Sequence, residues 1–254
     1  MPFSWDRRIK RAGELSQKYP AASELLIFYQ QLARFQKSVF EKLSAAREHD
    51  VPALLPFFPE LIALVKQAGS PPLVKAAAEL AQDAREERLS LLDSVWQHQV
   101  EPQDLADEYA FFAQALLQPY AEFLASKNNT PDEGSPSVCP FCGSQPQLAI
   151  LRQEGDGAKR FLLCSLCATE WTYRRVVCPS CGEENKDHLP VFSAQEFDYV
   201  RIDACDTCQT YLKAIDLTKN GHAVPVVDEL ATVSLNLWAQ ENNYHKLRPN
   251  LFGV

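Results

Sequence analysis

All eight cysteines of this 254-residue chain fall into four Cys-x-x-Cys pairs, all in the C-terminal half: Cys139/Cys142, Cys164/Cys167, Cys178/Cys181 and Cys205/Cys208. A Cys-x-x-Cys loop places two thiolates on one tight turn, which is half of a tetrahedral metal site. Two loops complete a four-cysteine set, so four loops imply two metal ions. Whatever the chain folds into must bring these loops together in twos.

The loops also repeat. CPFCG at 139–143 is matched 39 residues later by CPSCG at 178–182, and CSLCATEW at 164–171 is matched 41 residues later by CDTCQTYL at 205–212. Each second loop is followed by a Thr (Thr169, Thr210) and an aromatic (Trp171, Tyr211). This is a duplicated module of about 40 residues, too small for an ordinary core without a staple. A four-cysteine metal site supplies the missing folding energy. The repeat favours sequential pairing, Cys139/Cys142 with Cys164/Cys167 and Cys178/Cys181 with Cys205/Cys208, over an interleaved one. Pro140 and Pro179 stiffen the turns, and Gly143 and Gly182 stand where the backbone needs positive φ. Four thiolates leave no open coordination position, which favours a structural or electron-transfer role over hydrolysis. Tetrahedral sulfur ligation suits zinc and iron alike.

Residues 1–127 hold no cysteine and read as an all-helical domain. Leu25, Phe28, Tyr29, Leu32, Phe35, Val39, Phe40 and Leu43 form a stripe at helical period. Asp50 and Pro52 mark an end and a new start. Ser70-Pro71 opens a further helix, by N-cap and first-turn proline, that is expected to run to about residue 97. Leu105, Tyr109, Phe112, Leu116, Tyr120 and Phe123 define a last helix, which Pro119 should kink or split. These aromatics read as bundle core, not as a cofactor pocket. Residues 128–137, polar and rich in Gly and Pro, form the expected linker. Beyond them come one module at 138–176 and a second at 177–222, with strands at 147–152, 159–163, 172–177, 189–192 and 199–202 and a hairpin turn at 155–157. Residues 223–254 form a tail whose segment 227–240 reads as one helix. The expected fold is thus a mainly α bundle, two small rubredoxin-like or zinc-ribbon β modules and a C-terminal helix.

The net charge is −8, divided as −5 before residue 138 and −3 after it. Neither half has the basic excess of a protein that holds a phosphate backbone unaided, so a nucleic-acid-binding zinc ribbon is disfavoured. The N-terminus lacks an apolar signal region and no run of 18 apolar residues occurs, so a cytoplasmic chain without membrane insertion is expected. In a reducing compartment, paired cysteines favour metal over disulfides. His49 and His98 lack ligand-spaced partners and read as surface or cap residues. His188, His222 and His245 read as solvated. No phosphate loop, nucleophile elbow or catalytic triad order stands out, so no catalytic residue is assigned and the chain is not expected to be an enzyme.

The ordered set CPFCGSQP, LCSLCATEW, RRVVCPSCG and CDTCQTYLK, behind a helical half and before VVDELATVSLNLWAQ, resembles the FdhE family of formate dehydrogenase accessory proteins. The resemblance implies a cytoplasmic protein with a helical domain and two rubredoxin-like modules. It implies two bound metal ions, with iron expected and zinc the alternative. It further implies a chaperone role in maturing a molybdenum- or tungsten-dependent formate dehydrogenase, through contact with its catalytic subunit. A rubredoxin-like electron-transfer role during that maturation is the alternative. Thr169, Thr210, Trp171 and Tyr211 read as caps on the metal knuckles, while Glu170, Arg175 and Lys213 are candidates for a partner surface. Arg175 serves equally well to balance a site of charge −2.

Overall fold

The computed structural model describes residues 4–46, 49–128 and 136–253. Most of the expected linker, 129–135, lies outside them.

The N-terminal half is helical. Helix α1 (Trp5–Lys18) starts at Ser4, whose hydroxyl accepts from Arg7 N. It packs on α2 (Ser23–Ala45), which carries the stripe read from sequence. The Asp50 carboxylate then accepts from Ala53 N and opens a 3-10 stretch, Val51–Phe57, that runs into α3 (Phe58–Ala68). Residues 51–68 are long and apolar enough to cross a membrane by length and composition. Their apolar face, with Leu54, Phe58, Leu61 and Val65, is buried in the protein core instead.

Two helices differ from expectation, each for a hydrogen-bonding reason. Residues 71–97 form two helices, α4 (Pro71–Leu80) and α5 (Arg85–Trp96). The Arg88 guanidinium donates to Leu80 O and Ala81 O, ending α4, and the Glu87 carboxylate accepts from Ala84 N, starting α5. Conversely, α6 (Asp107–Ser126) runs unbroken through Pro119. Proline has no N–H for the Ala115 carbonyl, and the side chain of Gln36 on α2 donates to it at 3.1 Å instead.

The C-terminal half is built on one sheet. Its strands are β1 (Pro146–Glu154), β2 (Gly157–Cys164), β3 (Glu170–Thr172), β4 (Val191–Ser193), β5 (Val200–Cys205) and β6 (Thr210–Asp216), followed by helices α7 (Pro225–Ala231) and α8 (Val233–Glu241) and strand β7 (His245–Lys246). Their order is β3-β2-β1-β6-β5-β4, with β7 also on β6. Each module supplies antiparallel pairs, and the parallel pairing of β1 with β6 (Ala149 opposite Ala214) joins the two into a continuous sheet. The strand expected at 172–177 ends at Thr172. Arg160 Nη1 donates to Arg174 O and Val177 O, so these carbonyls go to a guanidinium and not to a neighbouring strand. The hairpin at Gly155 forms as read, with φ +56.

The sheet separates two apolar cores. Ala149, Leu162, Leu212 and Ala214 face a core shared with α2 to α6. Leu148, Ile150, Leu163, Tyr211 and Ile215 face a second core shared with α1, α2, α7 and α8. This is the two-residue alternation of strands, with both faces covered. Buried ion pairs tie the layers. Arg8 meets Glu122 at 2.7 and 3.0 Å, and Arg11 grips the fully buried Asp228 at 2.6 and 3.0 Å.

Candidate metal centres

Each first loop of a module is a tight knuckle. Cys139 N donates to Ser144 O at 2.8 Å and Gly143 N to Cys139 O at 2.9 Å. Cys178 N donates to Glu183 O and Gly182 N to Cys178 O at 2.9 and 3.0 Å, repeating the pattern. Gly143 and Gly182 hold φ of +76 and +79, the conformation read from their sequence position. The second loops start where β2 and β5 end, at Cys164 and Cys205. There Ala168 and Gln209 take φ of +52 and +56 without being glycine, which nothing in the sequence marked.

The four loops meet in sequential pairs. Cys139, Cys142, Cys164 and Cys167 bring four sulfurs within 4.8 Å of one another, and Cys178, Cys181, Cys205 and Cys208 do the same. Closest separations are 3.3 to 3.5 Å in the first set and 3.7 Å in the second. All eight thiols are free, far beyond the S–S bond of about 2.05 Å. A tetrahedral shell with metal–sulfur bonds of about 2.3 Å has sulfur–sulfur edges of about 3.8 Å. Both sets therefore fit one four-coordinate ion each.

The electrostatics point the same way. Burial and the neighbouring thiols push Cys164 up, while hydrogen bonds from the thiols around it hold Cys142 well below the usual thiol range. In the second set, burial pushes Cys205 up to about 12. Burial acts likewise on Cys208, but hydrogen bonds from Thr210 and the neighbouring thiols bring it to about 6. Four clustered thiols do not all ionise without a cation among them. Local donors stand ready to share that charge. Leu166 N and Cys167 N point at Cys164 Sγ from 3.3 and 3.4 Å and Thr210 Oγ1 lies 2.9 Å from Cys208 Sγ, while the Cys167 thiol donates to Thr169 Oγ1 at 3.1 Å. Trp171 and Tyr211 are both buried, and the Trp171 indole donates to Pro136 O at 2.9 Å.

The three residues suggested for a partner surface separate. Glu170 is half-buried and held bidentately by Arg152 at 2.8 and 2.9 Å. Arg175 is exposed, makes no ion pair among the described residues, and lines a small cleft with Cys178, Pro179 and Val191. Lys213 is fully buried and must be withdrawn from any surface. Its ammonium donates to Glu229 O and Thr232 O at 2.6 and 3.2 Å and pairs with the Glu229 carboxylate at 2.9 Å. The Glu229 carbonyl, taken by Lys213 and by the Thr232 hydroxyl, is not available to the next turn, and the single helix read over 227–240 breaks at Thr232. Burial pulls Lys213 down to about 8. Burial also pushes the Glu229 carboxyl up, but Lys213 and Lys246 together more than offset it and hold it at about 2. One carboxylate shared by two ammonium groups gains more than either of them.

Three groups beside the centres escaped the sequence. His98, at φ +54, places Nε2 2.7 Å from Cys142 O. Arg248 is buried near Cys164 and pairs with Glu101 at 3.2 Å. The Glu183 carboxylate accepts from Thr207 Oγ1 at 2.6 Å, joining the two knuckles of the second centre. The first two contacts cross from the helical half or the C-terminal tail, and no local spacing signals them.

The chain matches family models described as "FdhE, central domain" over residues 138–175 and "FdhE, C-terminal domain" over 176–252. A protein FdhE homolog of Aquifex aeolicus is 31% identical in an alignment that covers 96% of this chain and 94% of that one. One from Pseudomonas aeruginosa is 30% identical, over 96% of this chain and 88% of that one. The crystal structure of the FdhE protein from Pseudomonas aeruginosa superposes with a TM-score of 0.80 at 27% identity, over 100% of this chain and 98% of that chain.

Proposed function

The chain belongs to the FdhE family, and from that premise we propose that it is an accessory protein of a molybdenum- or tungsten-dependent formate dehydrogenase, holding the catalytic subunit before that enzyme is complete. The observation that carries this reading is the pair of assembled four-cysteine sets on a chain similar end to end to FdhE proteins. The eight cysteines are the proposed metal ligands, with two ions of iron or zinc. The donor set suits rigid scaffolding, because four thiolates complete a tetrahedral shell. The site of action on this reading is the cytoplasm. Of the partner-surface candidates, Arg175 and the accessible edge of Glu170 remain.

Deleting the gene in a host that makes such an enzyme is expected to abolish formate dehydrogenase activity while the catalytic subunit is still synthesised. The intact chain should co-purify with that subunit. Undiminished activity in the deletion strain would falsify this function. A one-electron role during maturation is the second reading, favoured by the solvent-exposed Cys181 edge of the second centre. Iron-loaded protein would then restore activity where zinc-loaded protein does not.

A further inference from the structure

The two cysteine sets come from a duplicated sequence, yet their surroundings differ. In the first, Cys139, Cys164 and Cys167 are 2%, 2% and 3% exposed, and only Cys142 is half-buried. Its partly open edge is covered by His98, whose Nε2 meets Cys142 O. A Cβ added to the adjacent Gly143 would touch that same ring at 3.4 Å. Gln118 on α6 donates to Ser165 O in the second loop at 3.1 Å, and the buried Arg248 of the C-terminal tail pairs with Glu101, three residues beyond His98. The helical half and the C-terminal tail thus close over the first centre.

At the second centre the equivalent glycine, Gly182, looks into open space: a Cβ there would meet nothing within 4 Å. Cys178 and Cys205 are buried as in the first set, but Cys181 is exposed and Cys208 half-buried. The C-terminal segment meets the Cys205–Cys208 loop through Tyr244 Oη to Asp206 and His245 N to Gln209 O, and on the Cys181 side a clasp joins the two knuckles. Glu183 accepts from Thr207 Oγ1 on one side and from Asn185 N and Glu184 N, at 2.8 and 3.0 Å, on its own. The clasp is local and largely at the surface, and its members belong to neither apolar core. Arg175 and Val176, both exposed, lie in the chain just before the Cys178 knuckle.

We infer that the two centres are not equivalent: the first permanently holds its ion as part of the fold, and the second is an exchange site that trades a divalent transition ion with thiolate or imidazole donors arriving at the Cys181 edge. Exchange at such an edge is associative. An incoming donor bonds to the ion as the Cys181 thiolate leaves and takes a proton from water, with no change of oxidation state. The same step is blocked at the first centre, because His98 and the packed loop occupy the approach. Outer groups of this kind typically govern metal affinity by about 10- to 100-fold.

The test uses the full chain loaded with two zinc ions and challenged with an excess of a chromogenic chelator. Two phases are expected, one ion each, with the fast one at least about 10-fold quicker than the slow one. Cys181→Ser should bind one ion fewer and show only the slow phase. Because loss of a ligand can itself unfold a module, the wild-type protein is also alkylated during release and read by mass spectrometry. Label should reach Cys181 and Cys208 while Cys139, Cys164 and Cys167 stay protected. A single phase for both ions, or label arriving on the first set as early as on the second, overturns the inference.

Discussion

At the scale of single residues, the consequential side chains are those that meet a charge or a carbonyl far away in sequence. His98 is one: its ring lies against the Cys142 carbonyl from 44 positions upstream. His98→Ala is expected to speed release of the protected ion by about 10-fold, as removing an outer group does, and to leave the fast ion unaffected. Stopped-flow chelation resolves the two. Glu229 is another. Its carboxyl sits at about 2 in the fold against an ordinary 4.5, held there by Lys213 and Lys246. A carboxyl depressed by folding adds stability that is complete above its unfolded value and is lost as pH falls toward its folded one. Glu229→Gln should therefore cost roughly 3–5 kcal/mol near pH 6, the usual penalty for leaving buried charges unpaired. The gap to wild type should narrow between about pH 4.5 and 2, as urea titrations at each pH will show. A constant gap across that range would remove the ion pair as its cause.

At the scale of elements, boundaries follow where the carbonyls go. Helix α6 keeps its proline because Gln36 supplies the missing donor to Ala115 O. Helix α7 stops where Lys213 and the Thr232 hydroxyl take the Glu229 carbonyl that the next turn would have used. Arg88 does the same at the end of α4. Gln36→Leu leaves the buried Ala115 carbonyl without a partner and is expected to destabilise the protein by about 1–3 kcal/mol. Chemical denaturation measures this, and a neutral result would show that α6 tolerates Pro119 unaided. Propensity and periodicity located these helices, but their ends were set by side chains from other elements, which no sequence window contains.

At the scale of the whole molecule, the helical half and the metal-binding half are not beads on a string. The sheet has one core on each face, and helices from residues 1–127 line both. An isolated fragment of residues 1–127 would expose Phe28, Phe111, Tyr29 and Leu26, all buried against later elements or against one another in the full chain. Such a fragment is expected to aggregate or to lack a cooperative transition. The full chain should instead unfold with coincident far-ultraviolet and tryptophan signals. Two separated transitions would argue for independent domains.

The eight candidate cysteines, their assembly in two sets and the knuckle geometry at Gly143 and Gly182 were legible in the sequence, because each rests on spacings of a few residues. Family membership followed from the same ordered motifs. Three features came only with the folded molecule: the duplicated modules share one sheet through β1 and β6, Lys213 is buried, and Cys181 is exposed where its counterpart Cys142 is half-buried. The physical reason is common to all three. Each depends on which segments, tens to hundreds of residues apart, pack against a site, and two copies of one local motif carry no record of their neighbours.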